Sequence, residues 1–230
     1  MSGKANPTPS TAVGYETAKL LLDIGAVNFR PDEPYRLTAG WASPVYIDCR
    51  WVISFPEARR RIVKLGIDLL NRDAGLPRVD IIAGGETAGI PYAAWIAAGT
   101  DKPMLYVRKQ PKGFGRDAQI EGALSEGASV LLVEDLATDG SSKINFINAL
   151  RAAGAVVTDL FVVFFYNVFP GALEVLKDAG VQMHYLTTWQ DILAVADEGN
   201  YFDKQTIDAV REFLADPVTW SGAHGAKGTE

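Results

Sequence analysis

The sequence has few of the residues that build disulfide frameworks and common metal centres. Among 230 residues there is one cysteine, Cys49, and there are two histidines, His184 and His224. One cysteine excludes an intrachain disulfide framework, and so few ligands argue against a metal site of His and Cys. A chain of this length must therefore be stabilised by an ordinary hydrophobic core. We expect it in the cytoplasm.

Long apolar runs and an excess of positive charge are also missing. The longest strongly apolar run, LFVVFFY at 160–166, is far short of the roughly 20 residues that cross a bilayer. With 22 Lys and Arg against 28 Asp and Glu, the net charge is −6, which argues against nucleic acid or an anionic membrane as partner. Residues 1–10 lack the pattern of a signal peptide and predict a disordered lead-in, and 216–230 predicts a flexible tail.

Strand and helix patterns alternate through the middle of the chain. Apolar strand patterns separated by helical patterns occur at VDIIAG, MLYVRK, SVLLVED and VVTDLFVVFFY. This alternation predicts an α/β fold, a Rossmann-like parallel sheet flanked by helices, in a single domain over 11–215. Short segments with turn residues over about 27–50 predict a small N-terminal β-containing hood. Ligands of such folds bind at the carboxyl ends of the strands.

The segment after the third strand of this series has the composition of a ligand site. Glu134 and Asp135 end an apolar strand, and the residues TDGSS at 138–142 lead into a helix. Glycine lets the backbone approach a ligand, and free N–H groups at a helix N-terminus bind anions. Two carboxylates would repel a phosphate, so they must bind a different group, and a sugar diol is a suitable partner. The pattern therefore points to a ribose phosphate, although TDGS is also a good helix cap.

Two other loops follow strands of the same sheet. Between Arg108 and Arg116 there are four cations and no acid, which predicts a local anion-binding surface. The glycines of this loop and its lack of apolar periodicity indicate a mobile segment that closes over a polyphosphate. The third loop, GGETAG at 84–89, is a glycine-rich turn before a helix, and its backbone N–H groups would serve as donors to a phosphate.

Several familiar nucleotide and hydrolase motifs are absent. The sequence has no GxxxxGK[ST], no complete GxGxxG and no GxSxG. These absences exclude the standard P-loop, the dinucleotide-binding fingerprint and the nucleophile elbow.

VLLVEDLATDGSS resembles the phosphoribosyl pyrophosphate (PRPP) motif of the type I phosphoribosyltransferases. RLTAGWASPVYIDCR, GGETAGIP and RKQPK add a resemblance to the orotate phosphoribosyltransferase family over about 15–215. That resemblance implies transfer of ribose 5-phosphate from PRPP to N1 of orotate, which gives orotidine 5′-phosphate and pyrophosphate in UMP and pyrimidine biosynthesis. It also implies Mg²⁺ as cofactor, carried by PRPP rather than by direct protein ligands, and a homodimer whose 108–116 loop serves the neighbouring active site.

The resemblance also implies roles for individual residues. Arg108, Lys109 and Lys112 would be catalytic, through their contacts with the pyrophosphate. The same three residues would bind PRPP together with Glu134, Asp135, Leu136, Ala137, Thr138, Asp139, Gly140, Ser141 and Ser142. Thr138, Tyr46 and Asn167 would bind orotate.

Some positions depart from the family pattern. Phe114, Ala88 and Thr38 stand where the family usually has His, Lys and Lys, and Tyr166-Asn167 replaces an Asp-Arg pair. Arg36 or Arg50 could serve the base site instead, and Arg116 could restore a loop cation. Two alternatives stay open: a type I phosphoribosyltransferase for another base, and a non-catalytic nucleotide sensor on the same fold.

Overall fold

The structure is a computed structural model that describes residues 11–36, 40–111, 119–138, 140–168 and 172–225. The chain divides into two compact units, one formed by 1–58 with 187–230 and the other by 59–186. The predicted hood segment falls in the first unit. The domain boundaries at residues 11 and 215 stay a prediction.

Helices and strands alternate as the sequence predicts. The helices are α1 Ala12–Asp23, α2 Pro56–Asp73, α3 Gly89–Thr100, α4 Ser141–Ala152, α5 Ala172–Asp178, α6 Trp189–Glu198, α7 Lys204–Ala215 and α8 Pro217–Ala223. The strands are β1 Val27–Phe29, β2 Tyr35–Arg36, β3 Ala42–Ser43, β4 Val45–Ile47, β5 Ile81–Gly85, β6 Met104–Val107, β7 Ile120–Glu121, β8 Ser129–Ala137, β9 Val156–Phe165 and β10 Gln182–Thr188.

The central sheet has six strands in the order β10-β9-β8-β5-β6-β7. Strands β6, β5, β8 and β9 run parallel, and β7 pairs antiparallel with β6. The predicted Rossmann-like parallel sheet flanked by helices is therefore confirmed, with one antiparallel strand added. Because β5, β6 and β8 are parallel neighbours, their carboxyl ends share one edge of the sheet. The three loops singled out in the sequence all begin at that edge.

The core lies against the two longest strands, β8 and β9. Their middle residues are fully buried, from Val130 to Val133 and from Leu160 to Phe165, as expected for strands of a parallel sheet covered on both faces. One side of the sheet packs on α4 through Phe146, Ile147 and Leu150. This packing fixes α4 directly after β8 and so sets the position of the loop between them.

The N-terminal segment forms two small antiparallel pairs, as predicted for a β-containing hood. Strand β1 pairs with β4, and β2 pairs with β3. A short 3₁₀ helix, Cys49–Ser54, follows β4 and is capped by Asp48, whose carboxylate accepts from the Arg50 N–H at 3.1 Å.

Two short elements were not predicted. Strand β7 lies between the cationic loop and β8, where no strand was predicted, and helix α8 lies within the predicted flexible tail over 216–230. Asp216 caps α8 by accepting from the Thr219 N–H at 3.1 Å, and Pro217 suits its first turn. These local features outweigh the glycine content that predicted a tail. Within the described part of the chain, no helix is both long and apolar enough to span a membrane.

Candidate active site

The acid pair of the predicted PRPP motif lies in β8, two residues before the end of the strand. Glu134 and Asp135 are 5% and 8% exposed, and the strand continues through Leu136 and Ala137. Those two residues pair with β9, opposite Phe164 and Phe165. The expectation that the loop begins directly after Asp135 is therefore wrong: the loop starts at Thr138, because two more residues than predicted pair with β9.

The carboxylate of Glu134 is held by a lysine. Its Oε2 atom accepts a hydrogen bond from Lys143 Nζ at 2.6 Å, and Lys143 is itself only 7% exposed. Burial raises the pKa of Glu134 to about 7, and the positive charge of Lys143 opposes that rise. Glu134 is therefore only partly ionised near neutral pH.

The other oxygen of Glu134 points at the glycine-rich turn. Within the described ranges Oε1 has no hydrogen-bond partner although it is buried. A Cβ atom at Gly85 or Gly89 would overlap this oxygen. The two glycines are therefore needed to leave space for the carboxylate, in addition to any contact between their backbone and a ligand.

The N-terminus of α4 has the geometry of an anion site. Gly140 precedes the helix with φ +77°, a left-handed conformation that favours glycine. The Gly140 carbonyl accepts a hydrogen bond from the Lys143 N–H at 3.0 Å, and this bond lies at the start of the helix. The backbone N–H groups of Ser141 and Ser142 belong to the first turn, where they have no intrahelical acceptor. Thr138 is half-buried just before this turn, and Asp139 lies outside the described residues.

The cationic loop begins on a short hairpin. Strand β7 pairs with β6, and the Arg108 N–H donates to Gln119 O at 2.8 Å while the Gln119 side chain donates to Arg108 O at 2.7 Å. Arg108 is half-buried, with Nη1 3.8 Å from Glu121 Oε1. Lys112, Phe114 and Arg116 lie outside the described residues.

The base of this loop is joined to the glycine-rich turn. The Lys109 N–H donates to Glu86 Oε2 at 2.8 Å, and the Glu86 N–H donates to Val107 O at 2.9 Å. Lys109 is exposed, and its charge also lowers the pKa of Glu134. The structure thus brings Lys109, Glu86, Glu134 and the two glycines together at one edge of the sheet.

The residues predicted for orotate are distributed between the two units. Tyr46 lies in the first unit, half-buried, with its ring centroid 5.1 Å from that of Tyr35. Asn167 lies in the second unit, exposed just after β9, in a left-handed conformation with φ +45°.

The arginines considered for the base site already have partners. Arg50 binds Asp48 through Nε at 2.6 Å and Nη2 at 2.7 Å. Arg36 donates to the carbonyl of Gly225. Thr38 lies outside the described residues, and Ala88 is the residue that precedes α3.

Sequence reasoning missed Lys143 and Glu86. A carboxylate at the end of an apolar strand needs a cation when it is buried, and Lys143 was the first lysine after the motif, so this signal was available. Glu86 lay in the GETAG turn, where only the glycines were interpreted. Among the described residues no group of three or more His, Cys, Asp or Glu is placed to hold a metal ion.

A parallel sheet with an acid pair on β8, followed by a glycine turn at a helix N-terminus, defines a type I phosphoribosyltransferase fold. No protein-family model matches the chain. It is 50% identical over 222 residues to an orotate phosphoribosyltransferase of Sinorhizobium fredii, with 96% of each chain covered. It is 52% identical over 208 residues to one of Ruegeria sp., covering 90% of this chain and 92% of that one. The chain belongs to the orotate phosphoribosyltransferase family.

Solved structures agree with this assignment. The crystal structure of orotate phosphoribosyltransferase from Aeropyrum pernix has 32% identity and a TM-score of 0.66, and the match covers 77% of this chain and 96% of that one. A match to Leishmania donovani UMP synthase, with 28% identity and a TM-score of 0.75, covers 88% of this chain. It spans only 42% of that longer protein.

Proposed function

We propose that this chain transfers ribose 5-phosphate from PRPP to N1 of orotate, forming orotidine 5′-phosphate and pyrophosphate in UMP and pyrimidine biosynthesis. The C1′–oxygen bond to pyrophosphate breaks, a C1′–N1 bond forms, and the proton on N1 of orotate is released. The observation that carries this proposal is the arrangement at the end of β8, where a buried acid pair precedes the Gly140 turn and the N-terminus of α4. Family membership supports orotate as the acceptor base.

The proposed binding of PRPP follows from the chemistry of these residues. Glu134 and Asp135 accept hydrogen bonds from the ribose hydroxyls. Backbone N–H groups and hydroxyls from Thr138 to Ser142 hold the 5′-phosphate, since the helix N-terminus favours an anion. Residues Leu136 and Ala137 connect the two parts by keeping β8 paired with β9.

The reaction needs charge stabilisation more than proton transfer. Pyrophosphate leaves with negative charge while the ribosyl carbon becomes oxocarbenium-like, so fixed cations and excluded water lower the barrier. Arg108, Lys109 and Lys112 supply the cations for the pyrophosphate. Within the second unit, Thr138 and Asn167 are the proposed ligands of orotate.

Mg²⁺ is the proposed cofactor. No protein residue is proposed as a direct ligand, and among the described residues no group of three or more His, Cys, Asp or Glu could hold a metal ion. We propose that the ion is held mainly by the oxygens of PRPP, where it would neutralise charge on the pyrophosphate.

The assembly and location of the protein are also proposals. We propose a homodimer in which the 108–116 loop of one copy serves the active site of its neighbour, and we place the protein in the cytoplasm. Cross-complementation of an inactive loop variant by an inactive Glu134→Gln variant would test the shared site, because mixed dimers would regain one complete site.

One assay separates this function from its alternatives. The protein is incubated with PRPP, Mg²⁺ and a panel of orotate, uracil and purine bases, and consumption of each base is followed. We expect turnover with orotate alone, and a large loss of it in Lys112→Ala. Turnover of another base would favour a different phosphoribosyltransferase, and PRPP binding without turnover would favour a sensor.

The matched control is Lys177→Ala, which removes an exposed lysine of α5. It should keep the activity of the unmodified protein. Full activity in Lys112→Ala would remove the proposed role of that loop lysine.

A further inference from the structure

The two oxygens of the Glu134 carboxylate have different surroundings. Oε2 is bonded to Lys143 Nζ at 2.6 Å, whereas Oε1 is buried and, among the residues described, has no hydrogen-bond partner. An unpaired buried carboxylate oxygen is costly, and native structures rarely keep one without a reason. A donor from a bound ligand would be such a reason.

The space around Oε1 supports a ligand at this edge of the sheet. The oxygen lies against Gly85 at the carboxyl end of β5 and against Gly89 at the start of α3, and a Cβ at either position would overlap it. The other oxygen, Oε2, accepts from Lys143, which belongs to the first turn of α4. The lysine thus fixes the carboxylate from the side of α4, and the free oxygen is turned to the glycine-rich turn.

We propose that Lys143 is a positioning residue, which binds Oε2 of Glu134 so that Oε1 is held in place to accept a hydrogen bond from a hydroxyl of the substrate's ribose. This inference rests on the proposed function, because that function supplies the ribose. Lys143 is not expected to touch the reacting atoms. It acts through Glu134.

The charges around Glu134 show why a lysine is needed there. Burial and the neighbouring Asp135 both raise the pKa of Glu134, while Lys143 and, more weakly, Lys109 lower it. With Lys143 replaced by a neutral side chain, only the exposed Lys109 would oppose burial. Glu134 would then be protonated at neutral pH, and its geometry would no longer be fixed.

The test uses PRPP binding at a series of pH values, with Mg²⁺ present, for the unmodified protein, Lys143→Met and Lys143→Arg. We expect Lys143→Met to bind PRPP about tenfold or more weakly at pH 7, the loss of one charge-assisted hydrogen bond, and to recover part of that loss at higher pH. Lys143→Arg keeps the charge and should retain much of the affinity. Free PRPP titrates identically in all three experiments, so the difference between the proteins reports on the site around Glu134.

A second measurement does not depend on ligand. The carboxyl carbon of Glu134, labelled with ¹³C and assigned with Glu134→Gln, should titrate near the pKa of about 7 in the unmodified protein and at a higher pH in Lys143→Met. Thermal melting of each variant checks that it is folded. An unchanged titration midpoint in a folded Lys143→Met, or an unchanged pH profile of PRPP binding, would overturn the inference.

Failure of the proposed function would look different. PRPP binding that depends on Lys143, without consumption of orotate, would reject orotate as the base and keep the inference. An unmodified protein that binds no PRPP at any pH would reject both the proposed function and the ribose as the donor to Oε1.

Discussion

The buried pair of Glu134 and Lys143 predicts a specific pH dependence of stability. In the unfolded chain the carboxyl has its ordinary pKa of 4.5, and burial raises it to about 7 in the folded protein. The folded state therefore binds the proton of the Glu134 carboxyl more tightly than the unfolded state does. Between pH 4.5 and about pH 7 the folded state holds more protons than the unfolded state. Stability from this group is fully present below pH 4.5 and is lost as the pH rises through 7.

The magnitude follows from the size of that shift. A rise from 4.5 to about 7 corresponds to about 3 kcal/mol, since one pKa unit is about 1.4 kcal/mol. We expect the free energy of unfolding of the unmodified protein to fall by that amount between pH 4.5 and pH 8, relative to a double variant, Glu134→Gln with Lys143→Met. The double variant has two neutral side chains of similar shape, so it leaves no buried charge unpaired.

The assay is urea unfolding followed by far-UV circular dichroism at intervals between pH 4.5 and pH 8. All other titrating groups are common to the two proteins, so their difference isolates the pair. An exposed ion pair of α2, Lys64 with Asp68 at 2.9 Å, provides the control: Lys64→Met with Asp68→Asn should change stability by less than about 1 kcal/mol at every pH. Parallel curves for the protein and the Glu134 double variant would refute the reasoning.

Two further predictions concern core packing and one buried hydrogen bond. Gly66→Ala should destabilise the protein by about 1–2 kcal/mol, because its Cβ would meet the buried Phe161 ring at 2.8 Å and overpacking outweighs the helical gain of alanine. In Gly99→Ala the new Cβ meets only the end of a flexible side chain, so this variant should be neutral or stabilising by up to about 1 kcal/mol. Urea unfolding compares the two variants, and an equal loss of stability in both would contradict the prediction. Ser221→Ala should speed hydrogen exchange of the Ala42 amide, which donates to the buried Ser221 hydroxyl at 2.8 Å, whereas Ser221→Thr should keep its protection.

The sheet could be predicted because its strands carry continuous apolar runs. A strand buried on both faces, such as β9, leaves little choice of residue type, and helices between such strands require parallel pairing. Strand β7 and helix α8 could not be found in this way. A two-residue strand has no periodicity, and α8 is specified by the cap at Asp216 rather than by an apolar stripe.

The candidate site was predictable in its residue types more than in its contacts. The acids of 134–135 and the Gly140 turn were recognised because both are unusual at the end of an apolar strand. Their burial was not predicted, since it depends on how far β9 continues to pair with β8. The partner Lys143 depends in turn on where α4 begins, and element boundaries are the least certain part of any sequence prediction.

The glycines of the GGETAG turn show how one residue type can meet two requirements. From the sequence they were interpreted as donors of backbone N–H groups to phosphate. In the structure, Gly85 and Gly89 also leave the space that Oε1 of Glu134 occupies. A side chain at either position would push the carboxylate away from the turn and strain its bond to Lys143. The turn, the acid and the lysine therefore act together, and we expect Gly85→Ala, Glu134→Gln and Lys143→Met each to weaken PRPP binding through the same carboxylate.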